Sequence, residues 1–269
     1  MPSSPAIAGL DQTPLTELHG VGPSYAQRLA KLGLYTVQDL LFHLPLRYQD
    51  RTRVTPIGSL RPGDQAVVVG EVDLAEVRLG RRRSLLVRLS DGSGWLLLRF
   101  FHFSGAQKQA LARGARLRCY GEVRSGPSSL EIVHPEYRRI AADQPPELEA
   151  NLTPVYPATE GVSQQGLRSL TERALDLLGQ HPEGLREWLP PELLRRFHLP
   201  ELGAAVRYLH RPPVDASLAE LADGRHPTQQ RLTFEELLAH QISLRRLRQR
   251  HRRTPAPVLT GDGTQRRRL

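Results

Sequence analysis

Apolar residues recur at helical spacing between positions 13 and 44, alternate with polar ones from about 61 to 140, and return to helical spacing beyond 150. The first stretch predicts three short helices. Thr13-Pro14 supplies a cap and a first-turn proline, with Leu15 and Leu18 facing inward. Gly20-Val21-Gly22 makes a tight turn before Pro23, and Ala26, Leu29 and Leu32 form the buried stripe of the second helix. Thr36-Val37-Gln38-Asp39 reads as a capping box opening a third helix through Leu40, Leu41 and Leu44, which Pro45 stops.

The alternating region predicts five strands, at 65–77, 84–90, 95–101, 116–124 and 130–139, with a tight turn at Asp91-Gly92-Ser93-Gly94 and a helix at 104–113. Five strands with a helix between the third and fourth follow the order of an OB-fold barrel. Asp143–Glu149, with its Pro145-Pro146 pair, reads as a linker. Helices are expected at 166–178, 191–197 and 202–209, and a capping box at Thr233-Phe234-Glu235-Glu236 opens a longer one. On that helix Phe234, Leu237, Leu238, Gln241, Leu244 and Leu247 share a docking face, with Arg245, Arg246, Arg248 and Arg250 largely elsewhere.

The fold class expected is therefore α+β, a five-stranded OB-fold barrel flanked by helical segments. The domains read as a helical region at 1–56 containing the glycine hairpin, the barrel at 57–142, and a second helical region at 143–269. The terminal Gln265-Arg266-Arg267-Arg268-Leu269 offers neither a helix stop nor a core element, so the chain reads as truncated.

Charge adds a direction. There are 37 Lys and Arg against 28 Asp and Glu, for a net charge of +9, and only Lys31 and Lys108 are lysines. A basic, arginine-dominated surface favours polyanions, because the planar guanidinium donates two parallel hydrogen bonds to phosphate. No apolar run is long enough to span a bilayer, and the N-terminus lacks a basic segment followed by an apolar core, so a cytoplasmic location is expected. A single Cys119 excludes an internal disulfide framework and a multi-cysteine zinc site, and reads as a core residue.

Several chemistries are missing. No Gly-Lys pair occurs, so there is no P-loop; Thr260-Gly261-Asp262-Gly263-Thr264 reads as a loop. Ten histidines are scattered without metal-ligand spacing, and His134-Pro135-Glu136 reads as structural. No catalytic residue and no metal site are assigned. The suggestive surface is on the barrel, where Arg78, Arg81, Arg82 and Arg83 bracket the first strand-to-strand loop and Arg99-Phe100-Phe101-His102-Phe103 ends the third strand. Over residues 61–139 there are 14 Arg and Lys against 8 Asp and Glu, an excess concentrated in these clusters. Aromatic faces stack on unpaired bases while arginines track phosphate. Alternation places Phe101 and Phe103 on one face and Phe100 on the other, making the first pair and Arg99 the DNA-binding candidates. The Gly20, Val21, Gly22 hairpin is a candidate phosphate site through its amides, with a plain αα-hairpin the equal alternative.

Taken in order, LHGVGPSYAQRLAKLGLYTVQDLLFHLPLRYQDR, IGSLRPGDQAVVVGEV, LLRFFHF, GEVR, EIVHPEYR, LTPVYPATEGVSQQGLR and LTFEELLAHQISLRRLR resemble the N-terminal region of RecG, a bacterial ATP-dependent DNA helicase family. The resemblance implies a wedge that splits DNA at stalled forks and Holliday junctions during recombination and repair. It also implies a motor that uses ATP and Mg and follows this region in the longer parent, with no cofactor in the region itself. Aromatic stacking at the fork would fall on Arg99 to Phe103; where some members carry a tyrosine shortly afterwards, this chain has Gly105. Branched DNA is the expected partner, with single-strand DNA-binding protein a further one, and the expected state is a nucleoid-associated monomer. A generic single-strand DNA or RNA-binding OB-fold and a protein-interaction module remain the alternatives.

Overall fold

The computed structural model describes residues 9–79, 83–127, 129–141 and 144–253. Its N-terminal part begins with a 3-10 turn, Leu15–Glu17, followed by α1 (Pro23–Ala30) and α2 (Val37–Leu41). The helix expected to start at Thr13-Pro14 is only that turn. The Thr13 hydroxyl donates to Gly9 O rather than capping, which leaves the first turn without a side-chain cap. The Thr36 capping box does form: Thr36 Oγ1 accepts from Asp39 N at 3.1 Å and Asp39 returns a carboxylate oxygen to Thr36 N at 2.9 Å. Helix α2 ends before Leu44.

Next come β1 (Arg47–Gln49), β2 (Gln65–Arg78), β3 (Ser84–Ser90), β4 (Trp95–Phe100), α3 (Gly105–Ala110), β5 (Arg116–Ser125), β6 (Leu130–Val133) and β7 (Glu136–Arg139). Strands β2-β3-β4-β6-β5 run in that order and β5 pairs back onto β2, closing the OB-fold ring. Parallel pairing of β4 with β6 completes it. The long β2 serves two neighbours: residues 65–71 pair with β5, and 71–78 with β3. A register shift between Val72 and Leu74 bends the strand between those jobs. At the same corner Gly70 is required, because a Cβ there would lie 2.5 Å from Ser90 O.

Every second residue of these strands points into one apolar cluster that includes Val68, Val87, Leu89, Leu96, Leu98, Phe100, Leu117 and Ile132. Cys119 lies in it, and burial pushes its thiol up to about 12. The expected fifth strand is interrupted. His134 sits at φ 49° and Pro135 offers no N–H, so 130–139 splits into β6 and β7, both still paired with β5.

Beyond the barrel lie β8 (Thr153–Val155), α4 (Gln164–Gln180), α5 (Pro191–Arg196), α6 (Leu202–His210), α7 (Leu218–Ala222) and α8 (Pro227–Arg253). Strand β8 pairs antiparallel with β1, joining the two sides of the barrel insertion. A second apolar cluster draws Leu29, Val37, Leu40 and Leu41 from the N-terminal segment together with Leu167, Leu170, Ala174 and Leu178 of α4. Helical segments before and after the barrel thus share one core. His210 ties it further: Nε2–H donates to Leu41 O at 2.8 Å, so Nδ1 accepts from the Tyr156 hydroxyl at 2.9 Å. Burial drives this imidazole down to about 4.

Helix α8 begins at Pro227, six residues before the expected cap. Thr233 is inside the helix because packing on α6 extends it backwards, with Thr228 and Arg231 buried. Arg231 is fully enclosed and binds Glu187 at 2.6 Å and Glu235 at 2.5 Å. The docking face expected along it is covered in part among the described residues: Phe234 lies against Phe197 with ring centroids 5.2 Å apart, whereas Leu237 and Leu247 are exposed. Residues 254–269, including the glycine-rich loop and the arginine-rich end, lie outside the described residues, as does part of the expected linker.

Barrel and helical layer meet at Arg51. Its guanidinium donates two hydrogen bonds to Glu136 of β7, at 2.6 and 2.8 Å, and lies 3.8 Å from the centroid of the Tyr120 ring. Burial opposes the charge, yet Glu136 holds Arg51 above its ordinary value, and Arg51 in turn holds the Glu136 carboxyl below the usual range.

Candidate nucleic-acid interface

Alternation along β4 decides which aromatic rings reach the surface. Leu96, Leu98 and Phe100 point into the barrel, and Phe100 packs edge-on against Tyr137 with centroids 5.7 Å apart. Leu97, Arg99 and then Phe101 fall on the outer side. Arg99 is not a free cation there: its Nε and Nη2 bind Glu131 Oε2 at 2.9 and 2.7 Å across the parallel β4–β6 pair, with both side chains mostly buried. Sequence reading placed Arg99 among DNA-contacting arginines, whereas the geometry makes it the brace that fixes the end of β4.

Past that brace, His134 organises the segment. Its backbone N–H donates to Arg99 O at 2.8 Å, and its Nε2 accepts from the Phe101 N–H at 3.3 Å. The imidazole therefore carries its proton on Nδ1 when neutral. Its ring lies 5.7 Å from that of Phe101 and is stacked with His102 at 6.2 Å. The left-handed conformation before Pro135 is what swings the ring toward β4. The sequence marked His134 as structural but gave no sign of Glu131. A His-Pro step marks the kink but not its partners.

Phe103 is half-buried against the barrel core and holds the exposed Arg83 over its ring, with the guanidinium carbon 4.9 Å from the centroid. This pair joins the β4–α3 connection to the β2–β3 hairpin. Ser104 follows and caps α3 by accepting from Gln107 N at 3.1 Å, fixing where the aromatic segment ends. Arg78 closes the same hairpin opposite Ser84 and stays exposed, pairing with Glu76 at 2.8 Å. Such an exposed pair opens readily for another anion. Arg81 and Arg82 lie outside the described residues.

The glycine hairpin is set in the helical layer. Gly20 takes φ 88°, a conformation that glycine adopts without strain, and the Val21 side chain belongs to the helical core. Arg173 of α4 donates to His19 O beside it. The structure thus unites Arg78, Arg83, Phe101 and Phe103 around one end of the barrel, while Val21 belongs to the other core.

A ring fixed by the kinked strand and, beside it, a cation stacked on a second ring form a compact platform at a barrel mouth. A family model described as the RecG wedge domain matches residues 15–178. The chain belongs to the RecG wedge-domain family. It is 49% identical over 261 residues to the ATP-dependent DNA helicase RecG of Escherichia coli (strain K12), covering 97% of this chain and 37% of that protein. Against the RecG of Pasteurella multocida (strain Pm70) it is 48% identical over 242 residues, with 90% and 34% covered. A solved structure described as RecG bound to a three-way DNA junction matches with a TM-score of 0.67 at 25% identity, over 93% of this chain and 32% of that one. The chain spans about a third of the length of these relatives. No helix among the described residues is long and apolar enough to cross a membrane.

Proposed function

We propose that this chain is the branched-DNA-binding wedge of a RecG-like helicase that acts in recombination and repair. The observation that carries the reading is the Arg83–Phe103 pair beside the half-buried Phe101, a stacking surface with its own cation at the mouth of an OB-fold barrel. Phe101 and Phe103 stack on bases exposed at the branch. Arg78 and Arg83, with Arg81 and Arg82 between them, take the phosphates. Arg99 acts through Phe101 as a positioning residue. The Gly20–Gly22 hairpin serves as a second phosphate contact through backbone amides. Specificity comes from the shape of the branch, because the residues assigned to DNA here lie on barrel strands and loops rather than on a groove-reading helix.

In this reading ATP and Mg belong to the motor of the longer parent, and this chain, which has no Gly-Lys pair, binds DNA without hydrolysing ATP. It works as a monomer in the cytoplasm and follows DNA to the nucleoid, with single-strand DNA-binding protein as a further partner.

Fluorescence anisotropy with a three-way junction, matched duplex and matched single strand, at two salt concentrations, tests the reading. Junction binding is expected to lead, to weaken with salt, and to fall about 5- to 100-fold in Phe101→Ala or Phe103→Ala, the range of one lost base stack. Equal affinity for all three DNAs would instead mark a general nucleic-acid barrel. Absence of binding by a folded sample at low salt would point to a protein-docking module.

A further inference from the structure

Where the barrel meets the helical layer there is a cavity of about 670 Å³ between β5, β7 and the first turn of α4. Arg51, Arg118, Arg138 and Arg168 line it, opposed by Glu136 and Glu149. These charges do not balance. Arg51 takes Glu136 in a bidentate pair, and Arg138 is held by Glu147 outside. Arg168 is left with Glu136 at 3.8 Å; burial and the Arg51 charge hold it below the ordinary arginine value.

Arg118 is shorter still of partners. Its nearest carboxylate, Glu149, lies 4.0 Å from Nη2, beyond hydrogen-bond reach, and is itself half-exposed. The Nε and Nη2 atoms of Arg118 are shut off from solvent and bonded to no acceptor. That edge is the two-donor fork that arginine presents to a phosphate or carboxylate. Leaving it empty in a mostly buried guanidinium is costly, so the site is one anion short. The first turn of a 17-residue helix, Ser163 to Gln165, faces the same space and adds its positive end.

We propose that this cavity binds a phosphate group, with Arg118 and Arg168 as its ligands and Glu149 as a placeholder that the incoming anion displaces. Four lining arginines, a helix N-terminus and far more room than one carboxylate fills favour phosphate. The phosphate comes either from a DNA backbone or from a free phosphate species. Binding of the free anion does not rest on the junction reading, so the two fail separately.

The test uses the whole 269-residue chain. Its thermal midpoint is followed in inorganic phosphate and pyrophosphate against chloride at equal ionic strength, for wild type, Arg118→Met, Arg168→Gln and Glu149→Gln. Expected are a midpoint raised by a few degrees in wild type, an affinity about tenfold or more weaker in Arg118→Met and Arg168→Gln, and a tighter affinity in Glu149→Gln. Phosphate also stabilises proteins by exclusion from their surface, so equal stabilisation of wild type and all three variants, or of none, overturns the proposal. Glu149→Gln keeps the test open if the arginine variants unfold.

Junction binding distinguishes the source. If a backbone phosphate occupies the site, Arg118→Met lowers the slope of log affinity against log salt by about one. An unchanged slope with the phosphate effect still lost assigns the site to a free phosphate.

Discussion

Phe103 and His210 show how one side chain acquires a role from what encloses it. Phe103 rests partly buried against the barrel and carries Arg83 over its ring, so its orientation is set before any base arrives. Replacing Arg83 by Met keeps the bulk over the ring and removes the charge. It is expected to lower junction affinity and reduce its salt dependence while leaving the unfolding midpoint in place. His210 carries the opposite lesson, since its neutrality is structural. The folded imidazole titrates at about 4 and the unfolded one at about 6.5, so the unfolded chain binds the extra proton between those values. The resulting stability is whole above pH 6.5 and is lost as pH falls toward 4, by up to about 3 kcal/mol. Urea unfolding at pH 7, 6, 5 and 4 checks this. His210→Gln, which keeps a donor and an acceptor but does not titrate, is expected to start less stable and to lose less over that window.

Among the elements, α8 depends on a single buried ion group. Arg231 fastens it to Glu187, which also accepts the N–H groups of Leu189 and Leu202 and so secures the start of α6. Arg231→Ala strands two largely buried carboxylates and is expected to cost about 3–5 kcal/mol in urea unfolding, with Arg231→Met costing less because it fills the space. Glu235, four residues on, has the spacing of a helical ion pair, but Glu187 lies 44 residues away and was not visible from the sequence. The barrel strands were legible because each half-buried strand writes its own two-residue period. The Thr36 box was legible because both its hydrogen bonds close within four residues. What escaped has no local period: the three-residue pair β1–β8, the backward start of α8, the Glu131 brace on Arg99 and the arginine cavity. Thr233-x-x-Glu236 misled because a capping box and a mid-helix spacing look alike until tertiary burial decides. Phe101 was singled out correctly as lying opposite Phe100 in the alternation; that its amide is held by His134 required the fold.

The whole molecule is a barrel inserted between helical segments that rejoin as one core. Leu29, Val37 and Leu41 pack with Leu167 and Leu170 across the insertion. Barrel and helical core are therefore bound through Arg51, Glu136 and Tyr120 as well as through the chain itself. Cutting that joint with Glu136→Gln is expected to loosen the attachment, seen as faster hydrogen exchange in 47–55 and 134–139 with the interior strands β3 and β4 still protected.

The enclosed Cys119 has a practical consequence. It is the only cysteine in 269 residues, and its sulfur sits where a reagent cannot reach and where the thiolate scarcely forms. A maleimide is expected to ignore the native protein and to couple one equivalent after denaturation. The natural chain is thus a ready background for single-position labelling: Leu79→Cys, at an exposed hairpin position, would place one fluorophore beside the proposed branch point without removing any native residue of the barrel core.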